Sequence, residues 1–467
     1  MAPAVDEMML WDIVEEHLDE AAFLYWMRKI QLQAPDHDLA TIASGPEARL
    51  LAHVDALVVG GSPVCERMLL PVLTDERADP ERVAAAALAL LAGDFRERAA
   101  EALVAALPRL RGDRLDALCD ALCLARVDAA APRVLALVGK SSDPAVVAAG
   151  LRILAALRAD PGTLLPDWLA SDKPAIVQGA LSIVMAVRRG DCLGTVGRLV
   201  DSTDPGTRDR ALDAALVLGS SEAGSICVER AFHPTKADAH ALLLCGLLGG
   251  PAEHAQLATF LERGTHVADV LWAIGFAGRP EHADAALPFL EHGSARVAKL
   301  AGETFVSITG HAPRREPPGP QADADVAPIA FEDDDLDADL VPSAIDRLPR
   351  IDPAQAKAWW DSRRAGFAAS GRYILGRAFS LDALAHALRH GSARRGIPWH
   401  LAVRIASRGH CVLAEGGFYV HLSSELDALV QFHPAWLRRL HGPLHANARP
   451  VQLAATPRSA SVLTGRS

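Results

Sequence analysis

The chain has 467 residues, half of them apolar but only 5% aromatic, and a formal charge of −11. That charge argues against bulk electrostatic binding of the whole chain to nucleic acid or anionic lipid, and the shortage of aromatic and β-branched runs argues against a sheet-rich fold. The length exceeds what one compact core usually serves, but suits an array that grows by repetition.

The charge is unevenly spread. Residues 345 to 467 carry 17 Lys and Arg against 7 Asp and Glu, which leaves residues 1 to 344 at −21. Seven cysteines, an odd number, are scattered through apolar stretches and suggest no disulfide framework. Asp6 and Glu7 stand where a signal peptide would carry Lys or Arg, and no apolar run reaches membrane length, so a cytoplasmic location is expected.

Residues 1 to 39 are expected to hold a capping helix. Between Leu10 and Leu32, the positions Leu10, Val14, Leu18, Ala21, Leu24 and Tyr25 trace one amphipathic face. Trp11 and Trp26 lie in the same stretch and offer a second use for it, as a surface for a partner.

Residues 40 to 310 carry the repeat. The triplets Leu151, Leu154, Leu157; Leu181, Val184, Val187; Leu212, Ala215, Leu218; Leu242, Cys245, Leu248; and Leu271, Ile274, Ala277 recur at steps of 30, 31, 30 and 29 residues. Positions three apart share a helix face, so each triplet is one buried stripe. A glycine follows four of the stripes (Gly190, Gly219, Gly249, Gly278), where a helix C-cap calls for positive φ. Second stripes such as Leu193, Val196, Leu199 come next, and turns such as Ser142-Asp143-Pro144 and Thr203-Asp204-Pro205 open the following helix. The pattern predicts about eight or nine stacked helical hairpins, an all-α solenoid that resembles short HEAT repeats.

Residues 311 to 350 read as an acidic, Pro-rich linker, with Pro317-Pro318-Gly319-Pro320 and the run Glu332 to Asp337. Asp333, Asp335 and Asp337 have the spacing of a calcium loop, but Ala338 and Ala344 stand where its Gly and Glu are needed, so that reading is rejected. Residues 351 to 449 read as a basic helical unit that opens at Asp352-Pro353. Its turn His390-Gly391-Ser392-Ala393-Arg394 repeats His292-Gly293-Ser294-Ala295-Arg296 letter for letter, which relates the unit to the array. Residues 450 to 467 read as a disordered tail.

Val14 to Trp26 (VEEHLDEAAFLYW), Arg49 to Gly61 (RLLAHVDALVVGG), and Trp359-Trp360, Arg363 and Gly371 to Gly376 together resemble an uncharacterised family of proteobacterial HEAT-repeat proteins. The resemblance brackets nearly the whole chain. It brings no catalytic residues, and it implies an adaptor or accessory role, since members are often encoded near type VI secretion genes. Relatives tend to carry an aromatic where this chain has Pro35-Asp36-His37-Asp38.

Motifs of catalysis are weak. The stretch Gly219 to Ser225 has P-loop spacing without its Lys, and His386 and His390 lack the Glu of a zincin helix, Ala387 standing in its place. Cys119 and Cys123 lie one helical turn apart among leucines and read as core. No cofactor, metal or catalytic residue is assigned, and the chain is not expected to be an enzyme. The expectation is a non-catalytic protein-binding scaffold or adaptor, with a nucleic-acid-binding helical repeat and, behind it, a HEAT-repeat lyase as alternatives. The partner-binding candidates are Trp359, Trp360, Arg363, Arg364, Arg372 and Tyr373, because Arg and Trp are the residues that anchor interfaces.

Overall fold

Each apolar triplet lies on a helix, and those helices stack in chain order. In the computed structural model, which describes residues 9–94, 96–233, 236–312, 343–414, 416–431 and 434–440, the helix Pro80–Ala92 packs on Gly112–Ala125, which packs on Pro144–Ala156, then Pro174–Val187, then Pro205–Val217. Further along, Ala239–Leu248, Val267–Ala277 and Ala295–Thr309 stack in the same way. Second helices such as Ser221–Ala231 and Pro251–Glu262 lie between successive first helices, packing on the one that follows. The stripe residues Leu151, Leu181, Leu212, Leu242 and Leu271 are buried, each worth about 2 kcal/mol of transfer free energy. The chain is therefore an all-α solenoid.

The predicted starts hold where they can be tested chemically. Asp143 accepts from Ala145 N at 3.0 Å and Asp204 from Thr207 N at 2.7 Å, each ahead of a proline in the first turn. At the front, Trp11–Gln31 packs on Ala48–Val59 and Pro80–Ala92, burying Leu18, Ala21, Leu24 and Tyr25.

The helix ends depart from the glycine expectation. Gly219 and Gly278 do take positive φ, at 85° and 67°, but Gly249 is extended and Gly190 opens a short 3₁₀ turn. In three earlier repeats the left-handed residue is an arginine: Arg126, Arg158 and Arg188, with φ of 50°, 52° and 57°. A side chain in that conformation costs roughly 1–2 kcal/mol, so a compensating contact is needed at each.

The C-terminal unit does not extend the stack; it sits inside it. Its helices are Pro353–Arg363, Leu381–His390, Ala393–Ala406, Tyr419–Val430 and Pro434–Arg439. Between the first two lies a two-stranded antiparallel hairpin that the sequence reading did not contain, pairing Tyr373 with Ala378 and Ile374 with Arg377 across Leu375 and Gly376, both at positive φ. The repeated HGSAR turn does serve the same local purpose twice, since Ser294 and Ser392 are each the residue before a helix. The central parts of the proposed linker and the whole of the proposed tail lie outside the described residues.

Helix Ala393–Ala406 packs on both Pro205–Val217 and Ala239–Leu248. At its start, Ala393 N donates to His37 O at 2.8 Å, while the adjacent Arg394 pairs with Glu303 at 3.1 Å. Two consecutive residues thus touch the beginning and the end of the array, which is thereby closed into a ring.

Candidate functional site: the lumen of the array

The lumen is lined by the first helices of successive hairpins, and their chemistry is that of a surface which holds polypeptide. The three left-handed arginines of the array all point to the C-terminal unit. Arg126 pairs with Glu425 at 3.1 Å, Arg158 donates to Val412 O at 3.3 Å, and Arg188 lies 3.0 Å from His410 Nδ1. At the next repeat the roles reverse. Gly219 has no side chain, and the guanidinium of Arg408 occupies the space that its Cβ would need.

At the front of the ring, Arg28 pairs with Glu47 at 2.8 Å and also donates to Gly416 O and Gly417 O at 2.9 and 2.6 Å. Glu47 accepts from Tyr419 N, and the Arg28 guanidinium lies 5.1 Å from the Phe418 ring centre. Three of these hydrogen bonds go to main chain, so Arg28 and Glu47 read the path of residues 416 to 419 and not their side chains.

The six partner-binding candidates do not form one exposed patch. Trp360 is buried, donates through Nε1 to Asp284, and packs on Phe305 and Phe367. Arg364 pairs with the same Asp284 at 3.0 Å, and Trp359 lies half-buried against His311 with ring centres 4.7 Å apart. Tyr373 N donates to Gly278 O at 2.7 Å, where a Cβ on Gly278 would collide with Tyr373 O, and its hydroxyl accepts from Ala368 N. Arg363 alone of the six is exposed.

Arg372 is spent most completely. It is buried, donating to Leu247 O at 2.9 Å, to Phe276 O at 2.8 Å and to Leu440 O, with Phe379 at 4.4 Å from the guanidinium. Burial, and then the neighbouring Arg279, work against its charge. The compensation comes from carbonyls at the C-terminal ends of Ala239–Leu248 and Val267–Ala277, where helix dipoles favour a cation. The interface-like composition of this region is thus used on an interface within the chain.

A cavity of about 980 Å³ remains between the C-terminal unit and the first helices. On the array side, His240 pairs with Asp213 at 2.7 Å. Burial would lower the His240 pKa, but the Asp213 carboxylate outweighs it and raises it to about 9. On the other side, burial lowers His400 to about 4, with Arg404 one turn away adding to the effect. The lumen thus sets a protonated imidazole on one wall and a neutral one on the other.

Of these groups, sequence reasoning singled out none of Arg28, Glu47, Asp213, His240, His400 or the three left-handed arginines. The arginines were visible in one respect, for they fall in the register of Gly219 and Gly278. Cys119 is buried and donates to Ala149 O at 3.3 Å, and His386 and His390 lie side by side with ring centres 4.8 Å apart. Among the described residues no group of three or more His, Cys, Asp or Glu is placed to hold a metal ion, and no single helix is long and apolar enough to cross a membrane.

No protein-family model and no curated protein matches this chain. Among solved structures, it is similar to a crystal structure of an engineered protein from the Northeast Structural Genomics Consortium, at 17% identity over 90% of this chain and 98% of that one. The TM-score is 0.27, a likeness too slight to bear on fold or function.

Proposed function

We propose that this chain is a non-catalytic scaffold or adaptor that holds another protein, and that the partner docks on the outer face of the N-terminal helix Trp11–Gln31. The observation that carries the reading is the pair Phe23 and Trp26. Their side chains are 46% and 45% exposed, with ring centres 5.8 Å apart, in a chain that is only 5% aromatic. Residues three apart share a helix face, and Glu16 and Asp19, also exposed, continue that face toward the N-terminus. An aromatic centre with an acidic border suits a partner whose own surface is apolar in the middle and basic at the rim.

The inward use of Trp360, Arg364 and Arg372 supports this choice over the C-terminal candidates. It also favours protein over nucleic acid, because those guanidinium groups engage protein carbonyls and a carboxylate. The family resemblance makes a secretion-system component or effector the first partner class to test, in the cytoplasm.

The test is capture from the native cell with matched variants. Phe23→Glu with Trp26→Glu should abolish recovery of the partner while the helix content is kept, whereas Arg363→Glu should leave recovery unchanged. Equal recovery by the aromatic double variant and the parent would remove the N-terminal helix from the account.

A further inference from the structure

The cavity inside the ring has the volume of a small-molecule site, about 980 Å³. Seven of its lining residues are Arg or Lys and three are Asp, the reverse of the balance in a chain of net charge −11. Each of the three acids has a basic neighbour: Asp213 is held by His240, Asp120 by Arg152 with Tyr25 donating to it as well, and Asp209 lies 3.5 Å from Arg208. Most of the cations are committed as well, Arg28 to Glu47, Arg126 to Glu425, Arg152 and Lys29 to Asp120, and Arg158 to Val412 O, but Arg210 is exposed on the cavity wall and makes no ion pair or hydrogen bond among the described residues.

Independent of charge, His400 lines the cavity at 8% exposure with neither ring nitrogen hydrogen-bonded among the described residues. Buried polar atoms are rarely left so, and a partner entering the cavity would relieve both. Ile397, three residues earlier on the same helix face, lines the same space and is 42% exposed, and Leu401, Leu243 and Met185 line it too. A cation, an unsatisfied imidazole and an apolar wall therefore line one cleft.

We propose that this cavity binds a small amphipathic organic anion, one that carries a carboxylate or phosphate group on an apolar body of about ring size. The oxyanion lies toward Arg210, whose planar fork suits either group. The apolar body covers Ile397 and Leu401, and His400 supplies a hydrogen bond without bringing a charge of its own. The inference is separate from the docking of a protein on the outer helix, and either can fail alone.

The experiment is calorimetric titration of the full chain with phenyl phosphate, with phenylacetate, and with neutral cyclohexanol. At least one anion should bind saturably, one per chain, and more weakly as salt is added. Arg210→Glu and Ile397→Asp should each weaken it by about tenfold or more, while Val59→Asp, on the outer surface, should not. His400→Phe should weaken binding yet raise the melting temperature of the ligand-free chain, because it removes two unsatisfied polar atoms. The stronger anion identifies the head group as phosphate or carboxylate. The proposal is overturned if neither anion binds at low millimolar concentration, if cyclohexanol binds as well as both, or if the cavity variants bind as the parent does.

Discussion

Arg28 and Glu47 form an ion pair 2.8 Å long in which the side chains are only 4% and 5% exposed. Their remaining hydrogen bonds go to Gly416 O, Gly417 O and Tyr419 N, so one pair near the start of the array fixes a segment almost four hundred residues later. Removing one partner leaves a buried charge without its counterion. Glu47→Ala should cost about 3–5 kcal/mol in denaturant unfolding, and Arg28→Met added to it should recover part of that loss. A double variant no more stable than Glu47→Ala would mean that the pair does not act as a unit.

The left-handed arginines give a test with a clean sign. Arg188→Ala and Arg188→Gly lose the same contact with His410, but only glycine also relieves the positive φ of 57°. The glycine variant should be the more stable of the two by about 1 kcal/mol, although a glycine in an ordinary helix would be the less stable. Thermal melts of the two proteins side by side check it.

Stability should pass through a maximum near neutral pH, and separate histidines set its two arms. His240, raised to about 9 by Asp213 against the effect of burial, contributes stability that is full below its unfolded value near 6.5 and is lost as pH rises toward 9. Burial lowers His254, His282 and His400, the last two to about 4, so between pH 6.5 and 4 the unfolded chain takes up protons that the folded chain does not. Their contribution is present above 6.5 and is lost as pH falls. His240→Gln should flatten the alkaline arm of a melting-temperature profile, and His400→Phe should flatten part of the acid arm.

The array was legible because its signal is local: the apolar stripe repeats within a helix turn, and the hairpin repeats within about thirty residues. Closure of the ring was not. It rests on pairs such as Ala393 with His37 and Tyr419 with Glu47, whose sequence separation leaves no periodic trace. The caps were half legible, for the register was right while the residue was not: at the third of the arginine caps Gly190 drew attention from Arg188, two positions earlier. Trp360 and Arg372 have the composition of an interface anchor, but composition cannot say whether the interface lies inside the chain. The hairpin at Tyr373 to Ala378 was hidden by Leu375, a residue seldom found where a two-residue turn requires positive φ.

A charge placed in a stripe should act on the whole stack. Leu212 is 2% exposed on Pro205–Val217, a helix that packs on Pro174–Val187, and Leu212→Asp buries an unpaired carboxylate in that core. The expected cost is about 3–5 kcal/mol, with helix lost on mild heating, as circular dichroism would show. Melting like that of the parent would mean that the stripe does not bear the stack.

The scaffold reading is tested most directly by hydrogen exchange on the chain alone and in complex with its captured partner. Binding should slow exchange across Trp11–Gln31, most at the amides around Phe23 and Trp26, and leave Pro353–Arg363 and the Tyr373–Ile374 strand unchanged. Protection confined to residues 353 to 374, or none on the N-terminal helix, would contradict it.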